Sequence, residues 1–348
     1  MKVAIIGGGA VGCAAARFFA KADHKTHLYE QFFIGHSYGS SHGTSRITRK
    51  TYPDPYYTSL MHEAFPLWHE LQQEANEPIY VETGLLTIGE PNNPWLKDCI
   101  KSLHQNHIVY DSFGPVETAR KFGGFHLEPN EIAIFQKEAG YLKAERVLEL
   151  QAQIAQKHGA KIFQNKKVFP NEKGEIENEK YDFIAVCTGS WVNDFLKINV
   201  EPRLQHFAYF NASVSDNIPV WIDAGEKHAY GLPNYGRGFK VGIHEYGEIF
   251  NPEVKNRNLN PQTIKSISEI AKLRLGANEI PNETSTCLYT VAPNEDFRTG
   301  YLPYETPGIY VSACSGHGFK FSIWFGKLLL DIAEGKRRIE DYPRFLGL

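Results

Sequence analysis

Lys2-Val3-Ala4-Ile5-Ile6-Gly7-Gly8-Gly9-Ala10-Val11-Gly12 opens the chain and decides its fold. Lys2–Ile6 is a short β-branched apolar run, which predicts a buried strand. Residues 10–22, rich in Ala and Phe, read as a helix, and Thr26–Glu30 reads as a second short strand. The turn between strand and helix matches G-x-G-x-x-G. Gly7 permits the tight turn, Gly9 lets the backbone approach a pyrophosphate, and Gly12 lets the helix pack on the strand. Ala10 and Val11 begin the helix, whose positive N-terminus faces the phosphate charge. Glu30 lies eighteen residues beyond Gly12, where a carboxylate accepts hydrogen bonds from an adenosine ribose. Strand, glycine turn, helix and strand form the opening half of a dinucleotide-binding unit, which suits NAD and FAD alike.

The remaining composition is that of an ordinary folded protein. The chain has 348 residues, enough for two domains or one domain with insertions. With 37 Lys+Arg against 40 Asp+Glu, the net charge of −3 leaves no broad basic surface for nucleic acid. The longest apolar runs fall well short of the roughly 18 residues of a membrane span. Glycines interrupt the apolar N-terminus, which lacks the basic start and cleavage site of a signal peptide, so a cytoplasmic protein is expected. Five widely spaced Cys with no CxxC pair exclude a disulfide scaffold and a zinc ribbon, and nothing has metal-ligand spacing.

Farther along, residues 56–75 place Tyr57, Leu60, Met61, Ala64, Leu67, Trp68 and Leu71 on one helical face. Helices are also expected over 94–105, 143–157 (with Gly159 as C-cap), 261–275 and 319–334. Strands are expected over 84–89, 132–136, 161–163, 167–169, 181–187, 240–244 and 308–313, and 172–180 reads as a polar hairpin around Gly174. Residues 200–288 look mostly extended. The resulting expectation is an α/β (α+β) molecule with a Rossmann-like dinucleotide domain and a sheet-rich substrate domain. The first would use residues 1–80, 140–200 and 290–348; the second, 81–139 and 201–289.

Several segments carry candidate chemistry. The strand ending Cys187-Thr188-Gly189-Ser190-Trp191 could return to the first sheet and run beside the dinucleotide. Lys240 and His244 share a strand face about 13 Å apart, comparable with a flavin ring system. On their own they read more simply as a surface lysine and a hydrogen-bonded histidine. Ser315-Gly316-His317-Gly318-Phe319-Lys320 is a glycine loop opening the last helix, whose amides can bind an anion or flavin carbonyls. Cys287, taken alone, reads as a buried inert thiol.

Together these segments resemble the monomeric sarcosine oxidase / N-methyltryptophan oxidase family of FAD-dependent amine oxidases, within the D-amino-acid-oxidase-like superfamily. The resemblance runs nearly end to end. It rests on Gly39-Ser40-Ser41-His42-Gly43 with Arg46-Ile47 and Arg49, then Lys240-x-Gly242-x-His244, then Cys287-x-Tyr289-Thr290, then Ser315 to Lys320. It implies the two-domain flavoprotein fold of that superfamily and oxidation of a small amine bearing a carboxylate, by dioxygen, in a monomer. It further implies that Cys287 carries a thioether to the flavin 8α-methyl carbon and that Lys240 sits against the flavin and activates oxygen. Arg49 and Lys320 would bind the substrate carboxylate, His244 and Tyr289 would line the pocket, and Arg46 would lie beside the flavin. Ser41, His42, Val168, Thr188, Gly189, Trp191, Gly316, Gly318, Phe319 and Lys320 would join Gly7, Gly9, Ala10, Val11, Gly12 and Glu30 around the cofactor. Two competing readings are an NAD-dependent amino-acid dehydrogenase, which leaves Cys287 and the 315–320 loop without a role, and a flavin-binding subunit without turnover. The family usually has an acid after Gly43, where this chain has Thr44.

Overall fold

The structure is a computed structural model and describes residues 1–312 and 315–347. Its first sheet has six strands in the order Arg298–Tyr301, Gly308–Ser312, Phe183–Val186, Lys2–Ile6, Lys25–Tyr29 and Lys161–Phe163. All neighbours are parallel except the first pair. Lys2–Ile6 is central, with Ile6 opposite both Val186 and Tyr29. The chain therefore leaves three adjacent strands at one edge, at Gly7, Glu30 and Cys187, which is where parallel α/β sheets bind ligands. Parallel strands are covered on both faces, so Val3, Ala4, Ile5, Ile184 and Ala185 are fully buried.

Seven α-helices are described: α1 (Ala10–Lys21), α2 (Pro55–Ala75), α3 (Pro94–Gln105), α4 (Pro115–Lys121), α5 (Ala144–Lys157), α6 (Pro261–Leu275) and α7 (Ser322–Ala333). Helices α1, α5 and α7 pack together over one face of the first sheet, sharing a core of Phe18, Phe19, Val147, Ile154, Phe325 and Leu329. Local chemistry sets several ends. Asn260 caps α6 by accepting from the amides of Gln262 and Thr263, Pro261 follows as a first-turn residue, and Gly276 closes it in the left-handed region.

An eight-stranded sheet runs Glu283–Val291, Glu201–Phe210, Phe239–Ile243, Ala229–Leu232, Val220–Asp223, Leu85–Gly89, Ile132–Gln136 and Asp111–Phe113. It is antiparallel apart from Val220–Asp223 beside Leu85–Gly89. Three short strands, Arg46–Thr48, Gly140–Leu142 and Tyr80–Glu82, form a third sheet. No helix among the described residues is long and apolar enough to cross a membrane.

The expected strand at 167–169 does not form. The sheet edge ends at Phe163, and Pro170 restricts the residue before it and has no N–H to give. Phe169 instead stacks on Phe195 at 4.7 Å. The expected last helix begins as a 3₁₀ turn over Phe319–Phe321, and the α-helix starts at Ser322. Its tighter geometry follows Gly316, which sits at φ 77°. Gly159 (φ 89°) is the left-handed residue just after the α5 cap, which is His158. The strand expected over 308–313 is seen through Ser312, and Ala313 lies outside the described residues.

Candidate active site

A single cavity of about 470 Å³ extends from the glycine turn at the first sheet's edge to the inner face of the second sheet. Gly7, Gly9, Ala10, Val11, Glu30, Ser41, Arg46, Arg49, Val168, Thr188, Gly189, Trp191, Lys240, His244, Cys287, Tyr289, Gly316, Gly318, Phe319 and Lys320 all line it. Of the residues expected in the site, Gly12 and His42 lie off its wall. Gly12 acts by being absent as a side chain, since a methyl group there would overlap the Gly7 carbonyl oxygen. His42 is buried behind the wall against Phe207, with ring centroids 6.5 Å apart. Burial, with Arg46 and Lys240 adding to it, holds the His42 ring neutral, its pKa pushed down to about 3.

The glycine turn is shaped for close approach by a ligand. Gly7 sits at φ 101°, and a side chain there would run into the Cys187 carbonyl. Gly9 is extended and caps α1 without a side-chain bond, so its own side places nothing between the start of the helix and a ligand. Ser41 Oγ accepts from the Ala10 amide at 3.1 Å. Glu30 is buried and accepts from the amides of Gly8 (2.7 Å) and Phe32 (2.8 Å). Burial pushes its carboxyl up, and those amides oppose the shift. Thr188 Oγ1 is buried on this wall with no hydrogen-bond partner among the described residues, an orphan that a bound ligand would satisfy. Aligned helix amides, an acid at the ribose position, a glycine approach and an orphaned hydroxyl fit an adenine dinucleotide such as FAD.

The other end of the cavity is cationic. Lys240 is buried, its Nζ 4.1 Å from the Phe207 ring centroid, and among the described residues it makes no hydrogen bond or ion pair. Burial, then Arg46, holds its pKa well below the usual lysine value. Arg49 donates to the Thr51 carbonyl and lies over Tyr52, its Cζ 4.3 Å from the ring centroid. Lys320 Nζ donates to Tyr52 Oη and to the His317 carbonyl, both at 3.0 Å. Burial and the Arg49 charge hold Lys320 well below its usual value. Neither Arg49 nor Lys320 has an acidic partner among the described residues. Two cations sharing one tyrosine and no counter-charge are costly, and such a site is relieved by an anionic ligand.

His244 follows the strand that carries Lys240, its ring centroid 5.8 Å from that of Tyr289. Burial pushes its pKa down to about 4, Glu295 opposes the shift, and Arg49, His228 and Lys320 reinforce it. The ring is therefore neutral at pH 7. Cys287 is a free, buried thiol on the strand opposite Gln205. Burial pushes its pKa up, while Arg46, Lys240 and Arg257 pull it back. Arg46 donates to the carbonyls of Ser40 (2.7 Å), His42 and Ser45 (2.9 Å), and so holds the 39–45 loop around the cavity. Thr44 Oγ1 is 3.5 Å from Tyr209 Oη. The carboxylate reaching this loop comes from Glu145 of α5, which accepts from the Gly43 amide at 2.8 Å.

Sequence reasoning missed several wall residues: Tyr52, Trp95, Phe207, Tyr230, His317 and Arg344. Tyr52 and His317 were legible, since they lie within the quoted motifs or three residues from Arg49. Trp95 and Arg344 had no local signal, because they enter from α3 and from the C-terminal turn Pro343–Leu346.

Comparison with known proteins agrees with this geometry. The family model described as DAO, FAD dependent oxidoreductase, matches residues 2–332. The chain is 29% identical to the monomeric sarcosine oxidase of Bacillus sp. (strain NS-129), covering 99% of this chain and 95% of that one. It is 26% identical to the N-methyl-L-tryptophan oxidase of Escherichia coli O139:H28, over 98% and 97% of the two chains. Among solved structures it is similar to NikD, an unusual amino acid oxidase essential for nikkomycin biosynthesis, in its open form. The TM-score is 0.84 at 20% identity, with 99% and 96% of the chains covered. The resemblance drawn from the motifs is borne out, as is the D-amino-acid-oxidase-like fold.

Proposed function

The chain belongs to the FAD-dependent oxidoreductase family, and from that premise we propose that it oxidises a small secondary amine bearing a carboxylate. N-methyl amino acids and cyclic imino acids are the class in view, with dioxygen as acceptor and an imine and hydrogen peroxide as products. The observation that carries this reading is a pair of cations, Arg49 and Lys320, without acidic partners among the described residues and in the same cavity as the glycine turn and Lys240. Bound FAD would supply the redox chemistry between the amine and oxygen. Arg49 and Lys320 hold the carboxylate, a guanidinium and an ammonium together offsetting its desolvation. Tyr52 and the His317 carbonyl fix the direction of the Lys320 ammonium. His244, neutral at pH 7, accepts a hydrogen bond from the substrate nitrogen, and Tyr289 walls the same space. Lys240 faces oxygen, and Arg46 braces the loop against the cofactor.

The reading extends to the organisation of the chain. Residues 1–80, 140–200 and 290–348 would hold FAD and 81–139 and 201–289 the substrate, in a monomer that works in the cytoplasm with no nucleic-acid or membrane partner. Purified yellow protein offered sarcosine, pipecolate, proline and N-methyltryptophan should release peroxide with at least one of them. A flavin-loaded protein that releases none would favour a flavin-binding subunit without turnover.

Cys287 is the proposed attachment point of the flavin, through a thioether to the 8α-methyl carbon. Its position on the cavity wall supports this, with burial raising the thiol pKa and the charges of Arg46, Lys240 and Arg257 offsetting part of that rise. Acid-precipitated protein should retain its yellow colour in the pellet, and Cys287→Ser should move all of it to the supernatant. Colour wholly in the supernatant of the unaltered protein would refute the linkage.

A further inference from the structure

Arg344 belongs to the C-terminal turn and lies outside every motif of the dinucleotide or amine site, yet it reaches the cavity. Its Nε donates to Asp296 Oδ1 at 2.6 Å, and its Nη1 pairs with Asp54 Oδ2. The guanidinium also lies over two rings of the first turn of α2, 5.4 Å from the Tyr56 centroid and 5.1 Å from that of Tyr57. Phe345, next in sequence, is fully buried among Tyr56, Tyr57, Phe297 and Phe325, so the turn that presents Arg344 is anchored.

Each of its partners leads to the cations. Asp296 Oδ1 also accepts from Tyr57 Oη at 2.7 Å. The Tyr57 ring packs against Tyr52 (5.5 Å) and edge-on against His317 (5.1 Å). Tyr52 Oη and His317 Nδ1 are 3.2 Å apart, and both residues hold the Lys320 ammonium. Asp54 caps α2 through the Tyr56 amide at 2.9 Å and ends the short segment that carries Arg49 and Tyr52. One guanidinium thus ties the C-terminal turn to the frame behind Lys320 and to the segment behind Arg49.

We propose that Arg344 is a positioning residue for the carboxylate clamp, acting through Asp296–Tyr57 on Lys320 and through Asp54 on Arg49. The proposal rests on the reading of Arg49 and Lys320 as that clamp. Two side chains that must converge on one small anion lose affinity when either wanders, and Asp296 is the link that keeps Tyr57, and hence Tyr52, in place.

The test is binding of acetate to the flavin-loaded protein, followed by flavin absorbance, alongside melting temperature and flavin content. Arg344→Gln should weaken acetate binding about tenfold with melting temperature and flavin content little changed. Asp296→Asn, which cuts only the branch to Lys320, should give part of that loss, and the double variant should be no worse than Arg344→Gln alone. Arg344→Lys, which keeps the charge, should recover part of the affinity. Unchanged affinity in Arg344→Gln and Asp296→Asn, while Lys320→Ala loses it, overturns the positioning role and leaves the clamp standing. Unchanged affinity in Lys320→Ala as well means that the clamp itself has failed. A loss that merely follows falling melting temperature shows a structural brace and overturns the proposal. So does tighter binding in Asp296→Asn, which would mean that freed Arg344 touches the anion directly. If Arg344→Gln does not fold, Asp296→Asn and Arg344→Lys decide the matter.

Discussion

Lys240→Met should slow reoxidation of the reduced protein by air about 10²–10³-fold while leaving its anaerobic reduction by substrate largely intact. Oxygen gains negative charge as it takes electrons, and a fixed ammonium in a water-poor site stabilises that charge far more than bulk solvent does. Lys240 is suited to this because it is buried and unpaired among the described residues, with only the Phe207 ring against its ammonium. Among the described residues no carboxylate pairs with its ammonium, and Glu145 acts on it only at a distance. Methionine keeps most of the bulk, so packing against Phe207 should survive. Stopped-flow measurement of the two half-reactions separates the outcomes. Equal rates in both would make Lys240 a bystander, and loss of reduction alone would place it on the substrate side.

Arg49→Ala and Lys320→Ala should each weaken binding of a small carboxylate by about 2–5 kcal/mol, or roughly 30- to several-thousand-fold. Removing one cation leaves the buried carboxylate half paired. Lys320→Ala carries an added consequence, since Tyr52 Oη and the His317 carbonyl lose their donor together. Titration with acetate, read from flavin absorbance, measures both variants. Unchanged affinity in both would sink the clamp. The unaltered sites fix the sign of the charge argument: burial and mutual repulsion hold Lys320 well below its usual pKa, so a bound anion should raise it again.

Much of the fold could be read from local chemistry. The strand Lys2–Ile6, the helices Pro94–Gln105 and Pro261–Leu275, and the strands Ile132–Gln136 and Lys161–Phe163 fall at the expected residues. Each is bounded by a signal within a few positions: a glycine turn, an Asn cap followed by Pro, a left-handed glycine. The strands Arg46–Thr48, Tyr80–Glu82 and Gly140–Leu142 escaped notice because each exists only by pairing with distant chain. The strand expected at 167–169 erred the other way, since Pro170 follows its apolar pattern and Phe169 packs on Phe195 instead of joining the sheet.

The candidate site divides along the same line. The residue types of the glycine turn, Glu30, the Lys240–His244 pair, Cys287 and the 315–320 loop were all visible in the chain, because each lies in a short motif whose spacing reflects a local backbone shape. What the chain alone left undecided was whether Lys240 was a surface lysine and Cys287 an inert thiol. Tertiary structure buries Lys240 and sets both residues on the wall of the cavity that holds Gly9 and Lys320, by bringing the strands Phe239–Ile243 and Glu283–Val291 there. It also decided which charges are paired: Arg344 meets Asp54 from 290 positions away, whereas Arg49, Lys240 and Lys320 meet no acid among the described residues. Backbone shape is set by neighbours along the chain, so sequence reads it. Burial and counter-charge are set by neighbours through space, and only the folded packing supplies those.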